Sequence, residues 1–217
     1  MENLNDISKN IELYLNEKSQ ICNSFPIKDT SELVLKVINT YIHDGTIFVM
    51  ANGGASSAAE GFATDLRTHP FVSEDKNKTS DVRRLKVICF TESSGNLTGI
   101  SNDLGFENIF LEQLKNFVRN SQFNKNDLLI AFSGSGNSMN VINCIEYAKK
   151  FNIFTSCISG RGGGKIKEIA DLSIVIKGKS KFPGQTGKND NNFHIEDFQV
   201  SISHIITGLL KNYINKI

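Results

Sequence analysis

The chain has 217 residues, 39% of them hydrophobic and 22% charged, which is the make-up of a globular protein with room for a buried core. Its 24 basic and 23 acidic residues leave a net charge of +1, so the basic excess that would argue for nucleic acid or an anionic membrane surface is missing. No apolar run nears the ~20 residues a bilayer span needs, and the opening MENLNDISKN lacks the basic and apolar regions of a secretory leader. Cys22, Cys89, Cys144 and Cys157 show neither C-x-x-C nor zinc-ribbon spacing. Buried thiols in a reducing, cytoplasmic setting are the expectation, with no nucleic-acid or membrane partner.

Apolar residues at helical spacing place helices over 3–22 (Leu4, Ile7, Ile11, Leu15) and 30–43 (Leu33, Leu35, Ile38, Ile42). Both precede any strand, so residues 1–44 read as a helical N-terminal piece for packing or assembly, ahead of one α/β domain over 45–217. The period then changes. TIFVMA (46–51) is a short apolar run bounded by Asp44-Gly45 and Asn52-Gly53-Gly54, which predicts a buried strand. A helix over 55–68 follows, then a strand at 85–90, helical stretches at 95–101 and 106–119, and a strand at 127–132. The same alternation continues with a helix over 137–150, a strand at 153–159, a short helix at 163–170, a strand at 172–176 and an amphipathic helix over 194–214. Residues 69–84 and 177–193 are polar and punctuated by proline or glycine, hence loops. The second is long enough for a lid or an interface element. Five apolar strands separated by helices predict an α/β fold with a doubly wound five-stranded parallel sheet, flavodoxin-like, carrying an N-terminal helical extension.

In such a sheet a ligand sits beyond the carboxyl ends of the strands, where the strand order reverses. With the order 2-1-3-4-5, that place lies between the first and third strands. Asn52-Gly53-Gly54 follows the first, and FSGSGNSMN (132–140) closes the third. Both loops open helices, whose free N–H groups and positive dipole ends suit a phosphate. Ser133, Ser135 and Ser138 add hydroxyls, while Gly134 and Gly136 let the backbone approach closely. The missing lysine fits a single phosphomonoester held by hydroxyls and amides. Either loop alone is also what a capping serine and ordinary turn residues look like; the pair at one switch point is what suggests an anion. SGSGNSM is not G-x-G-x-x-G, because Met139 replaces the last glycine, and SGRGGGKI departs from a Walker A loop at Ser159 and Ile166. The latter reads as a strand-to-helix turn.

Candidate acid–base groups lie on two of the predicted helices. Asp65 is a poor helix-interior residue about ten residues past the first loop, with His69 one turn on. His204 falls near Asp197, Val200 and Ser201, away from the stripe of Ile195, Phe198, Ile202 and Leu209. A solvated surface charge is the plain alternative for both Asp65 and His204. His43 and His194 sit beside helix ends, where a capping or dipole role is expected.

Taken together, ANGGASSAAEGFATDL (51–66), GISNDLGFENIF (99–110), IAFSGSGNSMNVINCIEYAKK (130–150), SGRGGGKIKEIADLSIVI (159–176) and HIEDFQVSISHII (194–206) resemble the sugar isomerase (SIS) family, and within it the bacterial phosphoheptose isomerases. The resemblance implies an aldose–ketose isomerase that converts sedoheptulose 7-phosphate to D-glycero-D-manno-heptose 7-phosphate through an enediol, for surface-polysaccharide or nucleotide-heptose synthesis. It aligns Asn52, Gly53 and Gly54 with a substrate loop, Asn102 and Asp103 with an Asn-Asp pair at the substrate, and Ser133, Ser135 and Ser138 with phosphate-binding hydroxyls. Gly134 stands where threonine is usual. His204 matches the catalytic histidine, Asp65 replaces a catalytic glutamate, and Glu196 replaces a glutamine near the sugar. Asp65 is then the base and His204 its acid–base partner. Members are typically homotetramers with active sites shared between subunits. Those that hold zinc carry a histidine at the position of Gly61, which leaves Asp65, Glu196 and His204 as candidate ligands. Eight residues of continuous helix set Glu196 and His204 roughly 12 Å apart, so their convergence on zinc needs a bend or another subunit, and no cofactor is required. The 177–193 loop looks longer than is usual for the family. The alternative within the family is a non-catalytic sugar-phosphate sensor or a replication-initiator-binding adaptor.

Overall fold

The computed structural model describes residues 3–118, 125–185 and 190–216. Two helices lead, α1 (Leu4–Cys22) and α2 (Ile27–Ile42). The alternating part runs β1 (Thr46–Ala51), α3 (Ala55–Thr68), β2 (Lys86–Cys89), α4 (Ser94–Leu104), α5 (Leu111–Lys115), β3 (Leu128–Ser133) and α6 (Met139–Lys150). It closes with β4 (Phe154–Ser159), α7 (Ile166–Ile169), β5 (Leu172–Val175) and the long α8 (Asn192–Ile214). The five strands pair in parallel in the order β2-β1-β3-β4-β5, as the alternation predicts.

Side chains alternate across this sheet, and both faces are covered, which is why the strands read as continuous apolar runs. Ile47, Val49, Ala51, Ile130 and Phe132 face α2, α3 and α8, which contribute Leu33, Phe62, Leu66, Ile202 and Ile206 to one core. Phe48, Met50, Leu129 and Ala131 face the other way, against Leu114, Val141, Ile142 and Ile145. The register Val49↔Ile130 and Ala51↔Phe132 brings the ends of β1 and β3 level with each other.

Several expectations need correction. The helix expected over 106–119 is one turn of 3₁₀ helix (Phe106–Asn108) followed by the short α5, with residue 119 outside the described residues. Asn108 and Asn116 turn their amides back onto the carbonyls of Leu104 and Glu112, and such local bonds compete with a continuous helix. The short helix expected at 163–170 begins only at Ile166, because Gly162, Gly163 and Gly164 adopt φ of +85°, +97° and +56°. On α8 it is Leu210, not Leu209, that joins the buried stripe.

The apolar stripe of α1 gives the largest difference. Leu4, Ile7, Ile11 and Leu15 are exposed, and the helix buries Glu17 and Ile21 instead. Its hold on the domain is polar. Glu17 accepts from the Ser180 hydroxyl (2.6 Å), the Lys181 N–H (2.6 Å) and the buried His194 ring (3.1 Å). One turn back, the Tyr14 ring stacks on His194 at 4.2 Å and its hydroxyl donates to Asp197, which also pairs with Lys18 at 2.8 Å. His194 is therefore a buried strut between α1 and α8 rather than a helix-end cap. The described part of the 177–193 loop is held by the same carboxylate, and Ser180 is buried; residues 186–189 lie outside the described ones.

Burial alone would raise the Glu17 carboxyl, but the Ser180 hydroxyl, the Lys181 N–H and His194 outweigh it and hold the group below its ordinary value. A carboxyl depressed in the folded state stabilises that state above the unfolded pKa, ~4.3 for glutamate, and the contribution is lost as pH falls through the lowered folded value. Glu17→Gln should therefore cost about 2 kcal/mol at pH 7, roughly 4–8 °C of melting temperature for a chain of this size. Thermal unfolding followed by circular dichroism should show the gap closing toward pH 3; equal melting temperatures at pH 7 would remove the clamp from the stability of the fold.

Candidate active site

The loops that follow β1 and β3 do share one pocket. Asn52, Gly53, Gly54, Ser133, Gly134, Ser135 and Ser138 line a cleft of about 260 Å³, joined by Arg161, Asn192 and Glu196. The two loops are tied by a reciprocal amide pair: Asn52 Nδ2 donates to Asn140 Oδ1 at 2.8 Å, and Asn140 Nδ2 donates to Asn52 Oδ1 at 2.9 Å. Gly53 takes φ +58°, a left-handed turn that lets the chain leave β1 and enter α3 directly.

The serine loop is built to leave donors free. Ser138 stands at the N-cap position of α6 without capping it, so its hydroxyl has no claim from the helix. Ser133 and Ser135 accept from the N–H groups of Gly136 (3.0 Å) and Asn137 (3.2 Å) through their oxygens, which keeps each hydroxyl hydrogen available to a ligand. The glycine run after β4 supports this loop from behind. Ile166 N–H donates to Gly136 O, Lys165 N–H to Asn137 Oδ1 and Gly160 N–H to Gly134 O. A Cβ on Gly136 would lie 1.9 Å from the Gly163 carbonyl oxygen and one on Gly164 2.5 Å from the Ser135 carbonyl oxygen, so both segments need glycine where they meet. The stretch that mimicked a Walker loop is thus the backing of the serine loop.

Beside the cleft a wider hollow of about 580 Å³ shares Asn52 and Ser138 as walls and is closed by Phe106, Glu107, Met139 and Asn140. Asn102 donates to Asp103 at 2.8 Å on the last turn of α4, exposed, and neither is among the described residues lining the two hollows. Asp65 and His204 face each other across α3 and α8, with 3.9 Å between Asp65 Oδ2 and His204 Nε2. Their side chains keep 38% and 67% of their exposure, so both are open to a substrate. Asp65 meets His204 and not His69, whose backbone N–H simply continues the helical bond to the Asp65 carbonyl.

Glu196 stays at the cleft, accepting from Asn192 Nδ2 at 2.8 Å, with its carboxylate packed where a Cβ on Gly54 would stand 2.5 Å away. Because α8 runs unbroken from Asn192 to Ile214, Glu196 and His204 remain two turns apart. Gly61 offers no ligand atom, and no group of three metal-binding side chains forms among the described residues. Within the single chain, these described side chains do not converge on a zinc ion. Nor is there a thiol nucleophile here: burial raises Cys89 and Cys144 and pushes Cys157 up to about 12.

Three residues of the site were not singled out from sequence. Asn140 carried a signal, being a polar residue that directly follows the serine loop on the helix it opens. Asn192 and Arg161 lie in loop-like stretches with no period to mark them. Their roles come from partners about 30 residues distant: Arg161 binds both Asp190 and Asn192.

The sequence profile of the SIS domain matches residues 14–160. The chain belongs to the SIS domain family. A phosphoheptose isomerase of Helicobacter pylori strain HPAG1 is 31% identical to it over 176 residues, which is 81% of this chain and 79% of that one. Among solved structures, a phosphoheptose isomerase from Francisella tularensis superposes with a TM-score of 0.76 at 20% identity, covering 98% of this chain and 100% of its own. One from Neisseria gonorrhoeae gives 0.74 at 21% identity, with 95% and 97% covered. These two likenesses establish the SIS fold over nearly the whole molecule.

The serine loop yields a direct test. Replacing Ser135 and Ser138 together by alanine removes two hydroxyl donors and leaves the backbone donors, so sugar-phosphate affinity should fall roughly 30-fold, at about 1 kcal/mol per lost bond. Calorimetric titration of the double variant measures this. Unchanged affinity would take the loop out of the site.

Proposed function

We infer that the protein is an aldose–ketose isomerase that interconverts sedoheptulose 7-phosphate and D-glycero-D-manno-heptose 7-phosphate. The observation that carries this reading is the Asp65–His204 pair, placed two turns along α8 from Glu196 in the phosphate cleft. Eight residues at the helical rise make roughly 12 Å. A heptose chain of six carbon–carbon bonds at about 1.5 Å each spans a similar distance from its phosphate ester to C1 and C2. The phosphate is then gripped at one end while the reacting carbons lie at the acid–base pair.

The reaction moves one proton between carbons and one between oxygens. The Asp65 carboxylate takes a proton from C1 of the ketose while the His204 ring gives one to O2, which leaves the enediol. The ring then accepts the O1 proton, and Asp65 returns its proton to C2, giving the aldose. Phosphate binding, remote from these atoms, holds C1 and C2 between the two groups. These steps use the Asp65 and His204 side chains alone. A sensor or adaptor would need the cleft but not an acid–base pair at the far end of the sugar. Cys89, Cys144 and Cys157 are buried free thiols, while Cys22, against expectation, is an exposed one; four unpaired cysteines favour a reducing cytoplasm.

Continuous-flow NMR or a coupled assay with sedoheptulose 7-phosphate tests the assignment. Asp65→Asn and His204→Ala should each lower kcat by about 10²–10⁴-fold while binding persists, and prior dialysis against a chelator should leave the wild-type rate unchanged. Product formation at the parental rate by Asp65→Asn would sink the base assignment; loss of activity on chelation would reinstate a metal.

The same reading includes a homotetramer. Leu4, Ile7, Ile11 and Leu15 stand exposed along α1, while Val200, Ile205 and Leu209 flank His204 on α8. Apolar stripes of this kind on two helices suit burial against second copies of the chain, and the stripe beside His204 puts such a contact at the reacting end of the site. Light scattering after gel filtration should give four times the chain mass. Ile7→Asp combined with Ile11→Asp should reduce the assembly, and a wild-type monomer would overturn the proposal.

A further inference from the structure

Arg161 is the one residue with a side chain in the run 160–164, Gly-Arg-Gly-Gly-Gly. Its φ is +48°, in the left-handed region where a Cβ is penalised and glycine is not. Gly162, Gly163 and Gly164 beside it take the same hand of backbone, at +85°, +97° and +56°. A glycine would fit this position with less strain, so the side chain has to be worth keeping.

The guanidinium lines the phosphate cleft. It meets Asp190 as a fork, with Nε 3.0 Å from Oδ1 and Nη2 2.5 Å from Oδ2, and Nη2 also donates to Asn192 Oδ1 at 3.2 Å. The Asp190 side chain is only 10% exposed, against 39% for Arg161. Among the described residues lining the cleft, Arg161 is the one cation and Glu196 the one anion. An incoming phosphate dianion therefore meets a carboxylate, and the loops offer it only dipoles and hydroxyls. A phosphate presents the same planar pair of oxygens to a guanidinium that Asp190 presents now.

We propose that Arg161 is the charge determinant of the phosphate subsite, held at the mouth of the cleft by Asp190 and transferred to the phosphate group when a sugar phosphate enters. This rests on the phosphosugar reading of the cleft. Asp190 is then a competitor for the guanidinium, and it limits affinity. Because Asp190 lies just ahead of α8, occupancy of the cleft also loosens the end of the long loop that precedes that helix. If Arg161 and Asp190 instead served only to strap that loop to the glycine turn, losing either partner would damage the site in the same direction. Exchange predicts opposite directions.

The full chain is titrated calorimetrically with inorganic phosphate and with sedoheptulose 7-phosphate, with circular dichroism as the folding control. Arg161→Ala should weaken both ligands by about tenfold or more, and Arg161→Lys, a point charge without the fork, should fall between it and the parent. Asp190→Asn should tighten both by about threefold, because the amide holds the guanidinium less strongly. Weakened binding in Asp190→Asn, or parental affinity in Arg161→Ala, overturns the proposal. Should Arg161→Ala fail to fold, the Asp190→Asn and Arg161→Lys titrations decide alone. A wild-type chain that binds neither ligand removes the phosphosugar reading itself and this proposal with it, which is a different result from either single-variant failure.

Discussion

Parallel pairing of β1 with β3, closed at its carboxyl end by the reciprocal Asn52–Asn140 amides, is the constraint from which the site follows. Each amide bond is worth only about 1 kcal/mol net, which is little beside the apolar burial along the two strands. Its importance is positional. Asn140 lies in the first turn of α6 and Asn52 at the exit of β1, so one bidentate contact sets two helix N-termini side by side. The core stabilises the sheet, and the amides register the loops. Cutting the contact would leave Asn140, 1% exposed, with an unsatisfied amide inside the protein.

A second arrangement determines where α8 stands relative to those loops. The first turns of α8 carry His194 and Asp197 on one side and Asn192 and Glu196 on the other. The first pair is gripped by α1 through Glu17, Tyr14 and Lys18, while the second pair reaches the cleft. The polar clamp that turns the apolar stripe of α1 outward thus also fixes the helix that delivers both Glu196 and His204. An N-terminal helix docked by its apolar side would have no such directional hold, because apolar contact resists translation poorly and buried charged hydrogen bonds resist it well. The apolar stripe of α1 is thereby left exposed.

Local chemistry made most of this legible in the sequence. β1 and β3 announce themselves as short apolar runs ended by glycine, and the doubly wound order brings their loops together without further information. Those two loops alone point to the cleft. What escaped the sequence depends on partners far along the chain. Nothing near Glu17 says that Ser180, Lys181 and His194 will surround it, so helical spacing alone assigned α1 the wrong inner face. Residues 106–119 have helical periodicity, but the amides of Asn108 and Asn116 fold back on the backbone and break it. Arg161 looked like one letter of a turn. Its meaning comes from Asp190 and Asn192, which no periodicity connects to it.

The departures from the family pattern are coupled rather than scattered. Where threonine is usual, Gly134 leaves room: a Cβ there would stand 2.5 Å from Asn192 Oδ1. That same oxygen accepts from Arg161, and the other end of the amide holds Glu196. The lost threonine is thus answered by an asparagine that connects the cation and the anion of the cleft. At the other end, Asp65 is one methylene shorter than the glutamate it replaces, and its carboxylate stops 3.9 Å from His204, beyond a good hydrogen bond. A glutamate would extend the chain by about 1.5 Å, enough to close that gap and occupy the ring. On the proposed isomerase reading, the shorter residue leaves both groups free of a tight mutual hydrogen bond and open on one side, where the reacting carbon and oxygen would lie against the pair.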